Sequence, residues 1–184
     1  SLTAVSDYVN QLEASGYVLS TDKGSSSGGR KPWLYEVNPA FRYIIGIDMR
    51  ASHFYVFLSD MIGQLLHNEF VSVEKAYDSY VEAMADTVKR ILTDKQLPRE
   101  KILAVGISIS GVTDFANKVV DLSNELSWAK KPLGHALEAL LGIPVFVEND
   151  ARVYARNEID SGDPNNVVTV VYLNRGVGLA LVIG

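Results

Sequence analysis

The stretch "VFVENDARVYARNE", residues 145–158, sets Asn149 and Asp150 between an apolar run and a helical pattern. A carboxylate can accept a hydroxyl proton during phosphoryl transfer, and an asparagine amide can both donate to and accept from a diol. The strand-to-helix junction puts Asp150 beside free backbone N–H groups, which favours its ionised form. Asn and Asp are also the residues found most often as helix N-caps. Residue types alone leave three readings of Asp150 open: a proton acceptor, a polyol-binding group and a helix cap.

Arg30 and Lys31 form a second group with chemical reach, in the glycine-rich loop "TDKGSSSGGRKP". Tyr17–Ser20 on one side and "WLYEV" on the other predict a β-hairpin with this loop as its basic tip. Ahead of it, Leu2, Val5, Val9 and Leu12 follow helical spacing, and Gly16 suits the C-terminal cap. One helix face is expected to pack, while the other shows Ser1, Thr3, Ser6 and Asn10. Helix, hairpin and basic tip are what a winged helix-turn-helix offers DNA: a recognition helix for the major groove and a wing for phosphates or the minor groove. The plain alternative is a solvated turn, since glycine-rich turns are common. Within residues 1–42, Lys23, Arg30, Lys31 and Arg42 balance Asp7, Glu13, Asp22 and Glu36, which is a weak electrostatic footprint.

The elements that must position these groups follow from composition and periodicity. Of 184 residues, 47% are hydrophobic and 21% charged, so a packed core is expected. The net charge of −5 argues against nucleic-acid binding by the chain as a whole, but leaves room for a local basic contact. The chain has no cysteine, which excludes disulfides, thiol catalysis and thiolate zinc sites within these residues and fits a reducing compartment. There is no signal-peptide pattern and no apolar run of about 18 residues, so a cytoplasmic location with no membrane partner is expected. The sequence enters a helical pattern at once and stops inside a predicted hairpin, so a piece of a longer protein is expected.

The dipeptide Asn38-Pro39 in "EVNPAF" biases the chain away from helix and marks a boundary, giving modules 1–42 and 43–184. From Tyr43, "YIIGIDM", "FYVFLSD" and "QLLHNEFVSV" read as an antiparallel three-strand meander. A helix from about Asp78 to Thr93 follows, then a buried strand "ILAVGISIS", a turn "GVTD" and a helix over Leu133–Leu141 stopped by Gly142 and Pro144. The strand "VFV", a helix from about Asn149 and the pair "VVTVVYL" and "GLALVI" complete the pattern. Strands followed by alternating helix and strand predict an α/β domain with ligands at strand C-terminal ends. The stretches "GIDMRAS", "ISGVTD", "VEND" and "LNRGVG" all fall at such ends and are expected to meet in one cleft. Trp33 is assigned to the core and Trp128 to the cleft entrance, while Lys130 and Lys131 read as a solvated loop. Glu158 reads as structural, and His53, His67 and His135 lack metal-ligand spacing.

Taken in order, "SGGRKP", "GID", "GISISGVTD", "LSNELSW", "PVFVENDA" and "GVG" resemble the ROK family, which groups repressors, open reading frames and sugar kinases. The resemblance implies an actin-like ATPase (sugar-kinase-like) fold. Residues 43–184 would be its first lobe, with a second lobe outside these residues, and residues 1–42 the later part of a winged helix-turn-helix. An N-terminal module of that kind marks the family's xylose-repressor-like regulators. The resemblance also implies that Asp150 is the catalytic base if the protein is a kinase, and that Gly111, Asn124, Asn149 and Asp150 contact sugar. Ser1, Thr3, Ser6, Arg30 and Lys31 would face DNA.

Two departures bear on catalysis. Family kinases end the first strand in a glycine- and threonine-containing phosphate loop, whereas this chain reads "GIDMRASH", with Met49, Arg50 and Ala51 in place of small residues and Ser52 as the hydroxyl. The second phosphate loop reads "LNRGVG", with Asn174 and Arg175 where Gly-Thr is usual. The expected function is therefore a sugar-responsive regulator that senses a sugar or sugar phosphate without phosphorylating it, with an ATP-dependent sugar kinase as the alternative. Operator DNA, a sugar effector and a second copy of the chain are the expected partners. No cofactor is expected within these residues, and the family's zinc motif would lie in the second lobe.

Overall fold

The computed structural model describes residues 2–23, 33–158, 167–173 and 177–183. Helix α1 (Leu2–Ala14) leads into a hairpin of β1 (Val18–Lys23) and β2 (Trp33–Val37). The helix and hairpin match the sequence expectation, but their packing does not. Val5 is 61% exposed and Trp33 48% exposed, although both were assigned to a packed face or core. A two-stranded ribbon is too small to cover a helix face, and both side chains keep about half or more of their surface exposed.

The centre of the fold is a five-stranded sheet of β3 (Tyr43–Met49), β4 (His53–Asp60), β5 (Leu65–Ser72), β6 (Ile102–Ile109) and β10 (Val145–Asn149). Its order is β10-β6-β3-β4-β5. The antiparallel meander β3-β4-β5 forms as predicted, and β6 and β10 add parallel to β3. Alternation decides which face is buried: Ile45, Ile47 and Met49 of β3, Phe54, Val56 and Leu58 of β4, and Val105, Ile107 and Ile109 of β6 all turn inward. Helix α2 (Tyr77–Asp94) covers them with Tyr80, Met84, Val88 and Ile91, and α3 (Leu133–Leu141) adds Leu133, Leu137 and Leu141. Both helices carry apolar residues at three-and-four spacing, and each such side chain buried contributes roughly 1.5–3 kcal/mol. Gly142 ends α3 in the left-handed conformation, φ 64°, which glycine adopts without strain.

Between β6 and α3, where the sequence reads as a turn and a loop, lies a second sheet of β7 (Val112–Asp114), β8 (Val119–Ser123) and β9 (Trp128–Lys131). These strands are short and of mixed polarity, so they carry little periodic signal. Lys130 and Lys131 belong to β9 rather than to a loop: Lys130 pairs with Asp121 at 2.6 Å, and the Lys131 ammonium lies 4.8 Å from the centre of the Tyr77 ring. Trp128 is 3% exposed and packs edge-on against Tyr77 and Tyr80, so it is a core residue and not part of a cleft entrance. Helix α4 (Asp150–Glu158) follows β10 without a loop, and β11 (Val167–Leu173) pairs antiparallel with β12 (Val177–Ile183).

Candidate ligand site

Parallel register builds the floor of the site. Asp48 of β3 pairs with Ser108 of β6, which pairs with Glu148 of β10, so the three polar side chains stand in a row near the strand C-terminal ends. The Ser108 hydroxyl donates to Asp48 Oδ1 at 2.8 Å. Arg50, just past the end of β3, folds back and donates to Asp48 Oδ2 from Nη2 at 2.7 Å and from Nε at 3.1 Å. Its Nη2 also donates to the Tyr154 hydroxyl of α4 at 3.1 Å. A cavity of about 600 Å³ opens on this face of the sheet, with apolar walls including Ile44, Phe57 and Phe146 and a polar end at Asp48, Glu148 and Tyr154.

The junction between β10 and α4 supplies the second half of the site. Asn149 Oδ1 accepts the Arg152 amide at 3.1 Å, so Asn149 is the residue that caps α4. Its Nδ2 donates to the Gly111 carbonyl at 2.8 Å and to Asp150 Oδ1 at 3.2 Å. Gly111 is held at φ +150°, and a Cβ there would stand 2.3 Å from the Leu122 carbonyl oxygen. Glycine is thus demanded by the close approach of β8. Glu148 takes the Thr113 hydroxyl at 3.1 Å and the Asn149 amide at 2.7 Å, tying β7 to the same corner.

Asp150 is only 6% exposed. The Ala151 amide donates to its Oδ1 at 2.9 Å, as its place at a helix start implies. Burial outweighs that bond and the positive charge of Arg50, and Asp48 and Glu125 add like charge, so the carboxyl is raised above its ordinary range. The helix-start N–H acts toward the ionised form, as the sequence implies, but desolvation is the larger effect and acts against it. Folding therefore favours the protonated form. The stability this contributes is fully present below the ordinary carboxylate range and is lost as pH rises through the elevated folded value. Asp150→Asn is thus expected to raise the melting temperature at neutral pH, with the advantage shrinking on acidification. Melting curves from roughly pH 4 to 8 check this, and a difference that stays constant across the range would contradict it.

Of the sequence-predicted residues, Gly111, Asn149 and Asp150 are brought together by direct contacts. Asn124 is exposed on the turn between β8 and β9, where its carbonyl accepts the Ser127 amide at 3.3 Å; its neighbour Glu125 acts on Asp150 through charge. Thr3 and Ser6 are exposed on α1, whereas Ser1, Arg30, Lys31, Asn174 and Arg175 lie outside the described residues. Sequence reading missed Asp48, Ser108 and Tyr154. Tyr154 stands one helical turn after Asp150, a spacing that carries a signal, but only sheet register joins Asp48 to Ser108. Among the described residues, no group of three or more His, Asp or Glu is placed to hold a metal ion, and no helix is long and apolar enough to cross a membrane.

Comparison with known proteins adds four findings. The ROK family model matches residues 44–184. The xylose repressor of Caldicellulosiruptor bescii is 28% identical over 177 residues, which is 95% of this chain and 44% of its own length. Among solved structures, a ROK family transcriptional regulator, a homologue of the E. coli MLC protein, has a TM-score of 0.76 at 14% identity and covers 100% of this chain and 47% of its own. A ROK family glucokinase from Streptomyces griseus, solved with glucose and AMPPNP, has a TM-score of 0.64 at 25% identity and covers 77% of this chain and 45% of its own. The chain spans about half the length of the curated relatives it matches. Its fold is the α/β actin-like sugar-kinase fold, with a helix ahead of the sheet core.

Proposed function

Because this chain belongs to the ROK family, related both to transcriptional repressors and to sugar kinases, we propose that it serves a sugar-responsive, DNA-binding transcriptional regulator whose kinase-like domain senses a sugar or sugar phosphate without phosphorylating it. The observation that carries this reading is where similarity extends. Likeness to the xylose repressor runs over 95% of the chain, whereas the glucokinase structure covers 77%, and the family model begins at residue 44. The segment that separates the two kinds of relative is α1 with the β1–β2 hairpin. In this reading Thr3 and Ser6 on exposed α1, with Ser1, Arg30 and Lys31, face operator DNA.

The sugar site is the corner made by Gly111, Asn149 and Asp150, with Asn124 on the adjoining turn. Asp150 accepts a sugar hydroxyl, and Asn149 fixes the geometry by capping α4 and holding the Gly111 carbonyl. Sugar acts on DNA affinity by favouring one arrangement of lobes or subunits in a homo-oligomer, with a coupling typically worth ~1–3 kcal/mol.

The second reading, an ATP-dependent sugar kinase with Asp150 as catalytic base, draws on the 25% identity to the glucokinase. Arg50 weighs against it. A kinase needs backbone and a small hydroxyl side chain at this turn to approach phosphates, and here a guanidinium is folded onto Asp48 and Tyr154. Melting curves of the intact protein with a panel of sugars and sugar phosphates, each with and without Mg-ATP, separate the readings. A shift from one sugar that ATP neither enhances nor consumes is the expected result. A shift that requires ATP and releases ADP would restore the kinase, and no shift with any sugar would leave a scaffold without a ligand.

A further inference from the structure

Resting on the sugar-site reading above, we propose that Arg50 is the positioning residue of that site. By bridging Asp48 and Tyr154 it clamps α4 to the sheet and supplies the cationic field in which Asp150 meets a ligand hydroxyl.

The geometry is that of a three-way tie. The Arg50 side chain is 17% exposed, and two of its donors go to a single oxygen of Asp48, whose other oxygen is taken by Ser108. Nη2 also reaches Tyr154, which lies on the same face of α4 as Asp150, one turn along. The Arg50 backbone is fixed as well: its amide donates to the His53 carbonyl at 2.9 Å, and its carbonyl accepts the hydroxyl of buried Tyr80. One residue thus links β3, α2 and α4 immediately beside the start of α4. A lysine would keep the charge but not the planar fork that holds Asp48 through two nitrogens in fixed positions.

The charges around Asp150 give the tie its second role. Asp48 and Glu125 repel a negative Asp150, burial disfavours its charged form, and Arg50 is the cation acting the other way. Glu148 and Arg152 pair with each other at 3.4 Å beside it. Without Arg50, burial and both neighbouring carboxylates would be opposed by one influence fewer, with the Ala151 amide remaining, and the balance would move further toward the acid form of Asp150.

The test uses the intact protein, and its first readout needs no sugar. Unfolding is followed against pH for wild type, Arg50→Gln and Arg50→Lys, each with and without Asp150→Asn. In Arg50→Gln, the pH at which Asp150-dependent stability changes is expected to move upward by about one pH unit or more, and Arg50→Lys is expected to bring it back. An Asp150 contribution with the same pH dependence in Arg50→Gln as in wild type overturns the proposal. If the coupling is present but no sugar shifts wild-type melting, the sugar reading fails while the Arg50–Asp150 link stands. If Arg50→Gln does not fold, Arg50→Lys decides: wild-type pH dependence with a weakened sugar shift supports the clamp, and an undiminished sugar shift overturns it.

Discussion

Replacing Gly111 by alanine is expected to destabilise the protein by on the order of 3 kcal/mol and to abolish any sugar response. Two effects act together at this position. The backbone sits at φ +150°, a conformation that side-chain-bearing residues rarely adopt. The added carbon would also meet the Leu122 carbonyl oxygen at 2.3 Å and the Ser123 Cα at 3.1 Å, both of them backbone atoms of β8 that cannot rotate away. Either β8 moves outward or residues 110–112 shift, and a shift there breaks the bond from Asn149 Nδ2 to the Gly111 carbonyl. Chemical denaturation measures the loss of stability. A Gly111→Ala protein within about 1 kcal/mol of wild type would mean that this corner is more adaptable than its geometry implies.

Trp128→Ala should have an effect of similar or larger size, about 3–5 kcal/mol, as expected for removing a fully buried indole. Trp128 stands between the small sheet and α2, with its ring 5.1 Å from that of Tyr77 and 5.3 Å from that of Tyr80. Tyr80 in turn donates to the Arg50 carbonyl. The cavity left by alanine would loosen that chain of contacts, so a weaker sugar response should accompany the fall in melting temperature. Trp128→Phe keeps most of the volume and should recover much of the stability. If Trp128→Ala costs under ~1 kcal/mol, the small sheet is not anchored through this ring.

The main elements were legible because their periodicity is strong. Ile45, Ile47 and Met49 alternate along β3, and Tyr80, Met84, Val88 and Ile91 recur at helical spacing along α2. The small sheet was not legible, since "VTD" and "WAKK" alternate too weakly to distinguish a strand from a loop. The two tryptophans were misassigned in opposite senses for one reason: side-chain size indicates a large apolar surface but not which element comes to cover it. Trp33 lies on a two-stranded ribbon and stays half exposed, whereas Trp128 is covered by α2.

For the candidate site, the sequence by itself determined the residue types and the junction. Asn149 and Asp150 had to fall where an apolar strand becomes a helix, and Gly111 had to end the strand before it. Composition and spacing also determined an α/β domain with its polar groups at strand C-terminal ends. Only the tertiary structure decided which residue does which job. Capping fell to Asn149 because its side chain reaches the Arg152 amide, and Asp150 was left in a buried corner where desolvation outweighs the helix-start N–H. The row of Asp48, Ser108 and Glu148 depends on the register of three parallel strands brought together from distant parts of the chain. Arg50 acquires its meaning only when α4 brings Tyr154 to within a hydrogen bond of it. Local sequence encodes the period of an element, but register and burial are properties of the assembled chain, and they set the charges and contacts from which this site is made.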